Sequence, residues 1–266
     1  MFVGIYHFFS SAGNPLYVCY LGLFIILSIS IYIFYFCHFK RANQYIKYAL
    51  VFAVLVLILE LFSGILFTQS WIGNAYLFMN MVVFACSGLY CCASLNHRGV
   101  PFLRKIFRGS FPKRFSSKGL TLSVLAVLGG YCLYSIFLQM LVPAEIAITP
   151  ETQVLYSKFY VLTIGIASSI EFALNEEIVF RLGIQSFISK VFNLEGKKYW
   201  ISIVFTAFLW AIAHANDLNI EWVRFADTFP FGLCLGYLCK KYGVGASIFT
   251  HAAFNIFVAL ISTFLT

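Results

Sequence analysis

The stretch FALNEEIVFRLG, residues 172–183, carries three charged side chains inside an otherwise apolar segment. Glu176 and Glu177 are adjacent, and Arg181 follows four residues after the second glutamate. A charge moved from water into hydrocarbon costs free energy unless it is paired, so ionisable side chains in a membrane helix usually mark a pathway or a site. The stretch therefore predicts a membrane-embedded helix with a functional polar cluster.

Two apolar segments nearer the C-terminus carry polar side chains at helical spacing. FLWAIAH contains Trp210 and His214, and HAAFN begins with His251 and ends with Asn255. Residues four apart share one face of a helix. We expect the three segments to form separate helices whose polar side chains meet in one active site.

The composition excludes an ordinary soluble protein. Of the 266 residues, 61% are hydrophobic, 19% are aromatic and only 11% are charged, far from the average of soluble domains. The alternating ten-residue strands of a membrane barrel are absent. The sequence predicts an all-α, multi-pass transmembrane bundle of about eight helices, each about 20 residues long. They cover residues 16–38, 46–68, 74–95, 119–142, 159–183, 199–216, 221–239 and 244–265.

The motifs divide the chain into three predicted regions. Residues 1–95 form an N-terminal extension of three helices, in which Glu60 stands alone and is interpreted as structural. Residues 96–118 form a basic loop with interleaved phenylalanines, which suits either an anionic leaflet surface or a solvated loop. Residues 119–266 hold five helices and all three motifs.

The basic residues predict the orientation in the membrane. Sixteen of the 18 lysines and arginines fall on one side of the predicted helices, and only Lys158 and Arg224 fall on the other. Because cytoplasmic loops collect basic residues, we expect both termini outside, a plasma (inner) membrane location and a site nearer the cytoplasmic side. The net charge of +8 is then a topology signal, and nucleic-acid binding is not needed to explain it.

Helical spacing divides the work between the two glutamates. Glu177 and Arg181 are four residues apart and are therefore placed to pair as a structural ion pair. Glu176 points elsewhere and lacks a cationic partner on its own helix. A carboxylate in that position is suited to accept a proton from water, so we predict that Glu176 is the catalytic base.

The histidines and the asparagine suit the other steps of a hydrolysis. His251 and Asn255 can aim two donors at one point, which would form an oxyanion hole for a tetrahedral intermediate. His214 comes from a different predicted helix and could hold the attacking water or shuttle a proton.

The ordered motifs resemble those of the CPBP intramembrane protease family, which is named for CAAX proteases and bacteriocin-processing enzymes. EEIVFR matches the family's EExxxR motif, HAAFN matches HxxxN, and WAIAH resembles FxxxH with Trp210 at the aromatic position. The resemblance covers roughly residues 119–265. It implies a CPBP-like core that hydrolyses peptide bonds in or beside the bilayer.

The same resemblance implies site residues and partners. The implied catalytic residues are Glu176, His214, His251 and Asn255, supported by Glu177 and Arg181. The implied substrates are prenylated CAAX tails, peptide pheromone or bacteriocin precursors, or membrane-anchored proteins, and the sequence does not choose among them.

A metal-dependent mechanism is the first alternative. Glutamates and histidines can bind zinc, but an HExxH pattern is absent and asparagine is a poor zinc ligand. We therefore expect no cofactor and a water activated by glutamate. If a metal is present, the candidate ligands are Glu176, Glu177, His214 and His251.

Two other functions remain open at this stage. A non-catalytic scaffold or regulator could retain the fold and bind a protein or a lipid. A proton-coupled transporter could use Glu176 and the histidines, but an inverted repeat is not visible.

The segment after the helix that carries Glu176 affects how deep in the membrane His214 is expected to lie. The sequence of residues 185–200 predicts an amphipathic segment along the cytoplasmic interface. A helix that starts at Tyr199 would carry His214 about 22 Å inward at 1.5 Å per residue, deeper than expected for Glu176. The depths of His214 and Glu176 would agree if the helix that carries His214 started nearer Val204.

Overall fold

The computed structural model describes residues 15–63, 71–95, 117–141, 165–214 and 221–265. Nearly all of these residues are helical and none is in a strand, which confirms the predicted all-α bundle. The basic loop lies almost wholly outside the described residues, as does Lys158. The main helices are α1 (Pro15–Cys37), α2 (Ile46–Ser63), α3 (Trp71–Ser94), α4 (Ser117–Leu141), α5 (166–191), α6 (Tyr199–Ala213), α7 (Glu221–Tyr242) and α8 (Val244–Leu265).

Four stretches of the described residues are long and apolar enough to cross a membrane. They are Val18–Cys37, Phe39–Phe62, Ala75–Ser94 and Lys118–Leu138; the second includes the short turns before α2, and the others lie in α1, α3 and α4. Large apolar side chains face outward along them, as at Leu133, which is 71% exposed; such a surface suits lipid. The helices α6 and α8 are apolar but shorter, so the predicted crossings by α5 to α8 stay predictions.

Helix α5 changes its hydrogen-bonding pattern at the paired glutamates. Ile166–Glu176 is α-helical, Glu177–Gln185 is a π-helix, and Ser186–Val191 is α-helical again. π-helical turns are rare and occur frequently at functional sites. The predicted end of this helix at residue 183 is therefore wrong by two turns.

The prediction of a surface segment after α5 is also wrong at its start, because residues 185–189 are buried in the bundle. Two polar side chains at the start of this segment have hydrogen-bond partners inside the bundle. The Gln185 amide donates to the Tyr199 hydroxyl at 3.1 Å, and the Ser189 hydroxyl donates to Ser202 at 2.8 Å.

Glycines allow α3 and the π-helical segment to approach closely. A Cβ atom at Gly88 would lie 2.1 Å from the carbonyl oxygen of Leu182. A Cβ atom at Gly183 would lie 2.5 Å from the Phe84 ring. A side chain at either position would push the two helices apart, so the glycines fix the position of α5 against the N-terminal helices.

The N-terminal helices share one hydrophobic core with the helices that carry the motifs. The rings of Phe34 and Phe187 meet edge to face, with centroids 5.4 Å apart. The Cys92 thiol and the Ser186 hydroxyl are 3.2 Å apart. The boundaries of the three predicted regions stay a prediction, but the described helices of the first and third regions are not packed as separate units.

One end of the bundle, called the basic end below, collects the described lysines. The Lys240 ammonium donates to the Gly196 carbonyl at 2.8 Å, and the Tyr242 hydroxyl donates to the Gly119 carbonyl at 3.0 Å. These contacts bring the start of α4, the α5–α6 turn and the end of α7 together. Arg181 was counted with this side from the sequence, but it is fully buried and does not report orientation.

The orientation of the basic end is testable by cysteine labelling. On a background without the eight native cysteines, we expect Lys197→Cys to react with a membrane-impermeant maleimide only after the cells are opened, because basic loops stay in the cytoplasm. Trp222→Cys, in the first turn of α7 and so toward the opposite end, is the control and should react in intact cells. The reverse pattern would reject a cytoplasmic basic end.

Candidate active site

Three helices bring the predicted catalytic carboxylate and both histidines together. His214 Nε2 lies 3.5 Å from Glu176 Oε1, and His251 Nε2 lies 4.0 Å from Glu176 Oε2. The side chains of Glu176 and His214 keep 24% and 19% of their surface exposed, so the cluster remains accessible. The sequence motifs therefore do meet in space, on α5, α6 and α8.

Trp210 also contacts the Glu176 carboxylate. Its indole Nε1–H donates to Glu176 Oε2 at 2.6 Å. The guanidinium of Arg181 lies over the indole ring, 5.3 Å from the centroid, within range of a cation–π interaction. Trp210 therefore connects the two charged groups that the sequence placed on α5.

Glu177 is the centre of a separate, fully enclosed group. Arg181 Nε lies 3.4 Å from Glu177 Oε2, and the two side chains are 0% and 1% exposed. This is the pair that the spacing predicted. The Ser247 hydroxyl donates to the same carboxylate, and His251 Nδ1 is 3.0 Å from its other oxygen. Glu177 is thus held by partners on α5 and α8.

The partners of the histidines define which ring nitrogen carries a proton. His214 Nδ1 is 2.8 Å from the Trp210 backbone carbonyl, which can only accept, so Nδ1 is the donor. His251 Nδ1 in the same way donates to the Glu177 carboxylate. In neutral rings, Nε2 is then an acceptor. Both Nε2 atoms lie beside the Glu176 oxygens. A water molecule or another proton donor placed there could donate to these nitrogen and oxygen acceptors.

The geometry of His251 differs from the sequence prediction. His251 was expected to aim a donor at the same point as Asn255. Its two nitrogens instead face Glu177 and Glu176. Asn255 is half-buried on the same face of α8, but its side chain makes no hydrogen bond to the glutamates or histidines among the described residues. An oxyanion role for Asn255 stays a prediction.

Sequence reasoning missed two of the groups that surround the carboxylates. Ser247 lies four residues before His251, and Trp210 lies four residues before His214. Both therefore share a helix face with a predicted site residue, which is the signal that could have identified them. The sequence motif marks Trp210 as an aromatic residue and does not reveal that its N–H is a donor to the carboxylate.

The longer α5 removes the discrepancy in depth. Glu176 lies fifteen residues before the end of α5 at Val191, and His214 lies fifteen residues after the start of α6 at Tyr199. At 1.5 Å per residue both are about 22 Å from the basic end. The suggestion that α6 starts nearer Val204 is wrong. Glu176 also lies near the middle of α5.

A second polar group lies one turn away from the site on α5. Glu171 is 2% exposed and interacts electrostatically with Glu60 on α2. Asn175, also on α5, lines a small cavity with Asn80 and Ser28. Glu60 therefore does not stand alone, as the sequence suggested, but faces the helix that carries the site.

Comparison with known proteins gives a family match for the region that contains the site residues of α5, α6 and α8. Residues 156–257 match the family model described as type II CAAX prenyl endopeptidase Rce1-like, which confirms the predicted resemblance. The sporulation-killing factor biosynthesis protein SkfC of Bacillus subtilis (strain 168) is 31% identical over 93 residues, which cover 35% of this chain and 18% of SkfC. The chain thus spans less than a fifth of that relative. No solved structure matches the chain significantly.

The buried ion pair makes a prediction about stability. Arg181→Met should lower the free energy of unfolding by about 3–5 kcal/mol, because it leaves the Glu177 charge buried without its cation. Thermal unfolding of the protein in detergent would measure the loss. Adding Glu177→Gln to this variant should recover part of it, since the buried charge is then removed.

The matched control is the more exposed pair Arg224–Asp227, whose atoms are 3.3 Å apart. Arg224→Met should cost about 0–1 kcal/mol. Equal losses at Arg181 and Arg224 would contradict the special role of the buried pair.

Proposed function

On the premise that residues 156–257 are an Rce1-like endopeptidase region, we propose that the protein is an intramembrane endopeptidase. It hydrolyses a peptide bond within or beside the bilayer with water activated by Glu176 and His214. The observation that carries the proposal is the approach of His214 Nε2 and His251 Nε2 to the Glu176 carboxylate, at 3.5 and 4.0 Å. The Glu176 carboxylate and the two Nε2 atoms form a partly exposed group of acceptors inside an apolar bundle, which suits the binding and deprotonation of a water molecule.

The proposed reaction begins with proton transfer from water. Glu176 Oε1 accepts a proton while the water oxygen attacks the carbonyl carbon of the substrate, which gives a tetrahedral oxyanion. The proton then passes from Glu176 to the leaving amine nitrogen as the carbon–nitrogen bond breaks, so Glu176 acts first as base and then as acid. His214 orients the water, and its protonated form would shuttle the proton.

The oxyanion requires donors in this mechanism. Asn255 carries an amide on the same face of α8 as His251, and we assign it as one donor to the developing charge. His251 holds its Nδ1 proton against Glu177 at 3.0 Å, so it would serve the oxyanion only through Nε2 and only when the ring is doubly protonated. Glu177 and Arg181 support the site by fixing that ring.

A metal ion is the alternative source of an activated water. The described residues contain no group of three or more His, Cys, Asp or Glu side chains in the arrangement of a metal site. Glu177 is engaged by Arg181, Ser247 and His251 and does not fit the ligand role that the sequence allowed. Of the ligands that the sequence allowed, Glu176, His214 and His251 do lie near one another, but not in that arrangement; a zinc ion there would supply a bound water of lowered pKa. We favour the metal-free reaction.

The proposed substrate is a peptide or a membrane-anchored protein. The described helices expose apolar surface that suits lipid, so a substrate with its own lipid or membrane anchor would reach the site laterally. The family description favours a prenylated C-terminal peptide, and the name of the SkfC relative favours a role in the biosynthesis of a killing factor. Nucleic acid is not a proposed partner.

Glu176→Gln should abolish hydrolysis while the protein remains folded, because the amide keeps the shape of the carboxylate but cannot accept the proton. Purified protein would be incubated with a farnesylated CAAX peptide and with an unprenylated peptide library, and products would be identified by mass spectrometry. Glu171→Gln on the same helix is the control and should stay active. Full activity of Glu176→Gln would overturn the assignment of the base.

Hydrolysis should survive exhaustive chelation if glutamate alone activates the water. The peptide assay would be repeated after dialysis against EDTA and phenanthroline, and the metal content of the active protein would be measured. Loss of activity that added zinc restores, with close to one zinc per chain, would reject the metal-free reaction. A wild-type protein that cleaves neither substrate class would favour the scaffold alternative.

A further inference from the structure

The Trp210 indole has a more specific role than filling space between helices. Its N–H donates to Glu176 Oε2 at 2.6 Å, which is shorter than the usual N–H···O distance of about 2.9–3.0 Å. Hydrogen bonds to an ionised acceptor are shorter and stronger than neutral ones. The bond joins α6 to the carboxylate that carries the proposed chemistry.

The indole is itself held on several sides. The guanidinium of Arg181 lies 5.3 Å from its centroid. The His251 ring meets it edge to face, with centroids 5.4 Å apart. Trp210 is 2% exposed, so the donor has little freedom to turn away from the carboxylate.

A glycine on α7 makes room for this ring. A Cβ atom at Gly232 would lie 3.0 Å from Trp210 Cε3 and 3.1 Å from Ala207 Cβ. Those distances are shorter than ordinary van der Waals contact. The indole therefore occupies a position that depends on the absence of a side chain at residue 232.

The hydrogen bond separates the two oxygens of Glu176. Oε2 accepts from Trp210, and Oε1 faces His214 Nε2 at 3.5 Å. Rotation about the last side-chain bond of a glutamate is soft, so without a donor on Oε2 the carboxylate could turn and lose this arrangement. A small misplacement of a reacting group costs a large factor in rate.

We propose that Trp210 is a positioning residue that holds the Glu176 carboxylate with Oε1 directed at the water beside His214. This inference rests on the proposed endopeptidase function for its effect on rate. The hydrogen bond on which it depends can be tested without any substrate. A failure of the hydrogen-bond test can therefore be distinguished from a failure of the proposed endopeptidase function.

The first test detects the hydrogen bond by NMR. Protein labelled with 15N-tryptophan in detergent has four indole N–H groups, and the signal that disappears in Trp210→Phe belongs to Trp210. In Glu176→Gln we expect that indole proton to move upfield, because a neutral amide oxygen is a weaker acceptor than a carboxylate. Glu171→Gln is the control and should leave it in place. An unmoved Trp210 signal in Glu176→Gln would overturn the proposal.

The second test measures turnover with the best peptide substrate. Trp210→Phe keeps an aromatic ring but removes the donor, and we expect kcat to fall about 10–100-fold while KM stays nearly constant. Trp200→Phe is the matched control on the same helix: Trp200 is 43% exposed and stacks on Tyr237 with centroids 5.8 Å apart. Its kcat should stay within about twofold of the wild type.

A third variant separates the donor from the shape of the ring. Benzothienylalanine incorporated at position 210 has the outline of tryptophan with sulfur in place of the N–H. We expect it to show the same loss of kcat as Trp210→Phe with a smaller fall in the unfolding temperature, because the outline of the ring is kept. Wild-type kcat in this variant would overturn the positioning role. If the wild-type protein proves inactive, the endopeptidase proposal fails, and the NMR result alone decides whether Trp210 holds Glu176.

Discussion

The ion pair between Glu177 and Arg181 is the interaction on which the site depends. Both side chains are almost completely buried, and an ion that loses its partner in such an environment is strongly destabilising. The pair also organises its neighbours, because Glu177 accepts from Ser247 and His251 while Arg181 lies against the Trp210 ring. One buried charge pair on α5 thereby sets the positions of residues from α6 and α8.

The π-helical segment explains how one helix can meet so many partners. It begins at Glu177, directly after Glu176, so the hydrogen-bonding pattern changes between the two carboxylates. Its backbone packs against α3, where only a glycine fits at residue 88, because a Cβ atom there would lie 2.1 Å from Leu182. The N-terminal helices therefore act as a support that holds α5 in place, which gives them a physical role although they carry none of the motifs.

Much of this arrangement could be predicted from the sequence, and the missing parts have physical causes. Apolar length gave the eight helices, and helical spacing gave the Glu177–Arg181 contact, because both are local properties of the chain. The π-helix and the burial of Gln185 could not be predicted, because they depend on partners far away in sequence, such as Tyr199 and Gly236. The same reason explains why Trp210 was not recognised as a donor to Glu176.

Adjacent glutamates acquire different chemistry because a helix turns between them. Glu177 faces a cation, a hydroxyl and a histidine N–H, so its charge is paired where it lies and both of its oxygens already have partners. Glu176 faces the Trp210 N–H on one oxygen and an imidazole nitrogen on the other, and among the described residues no lysine or arginine is paired with it. A carboxylate without a permanently charged partner keeps an oxygen available for a proton. The division of labour between base and support thus follows from the partners that α6 and α8 supply.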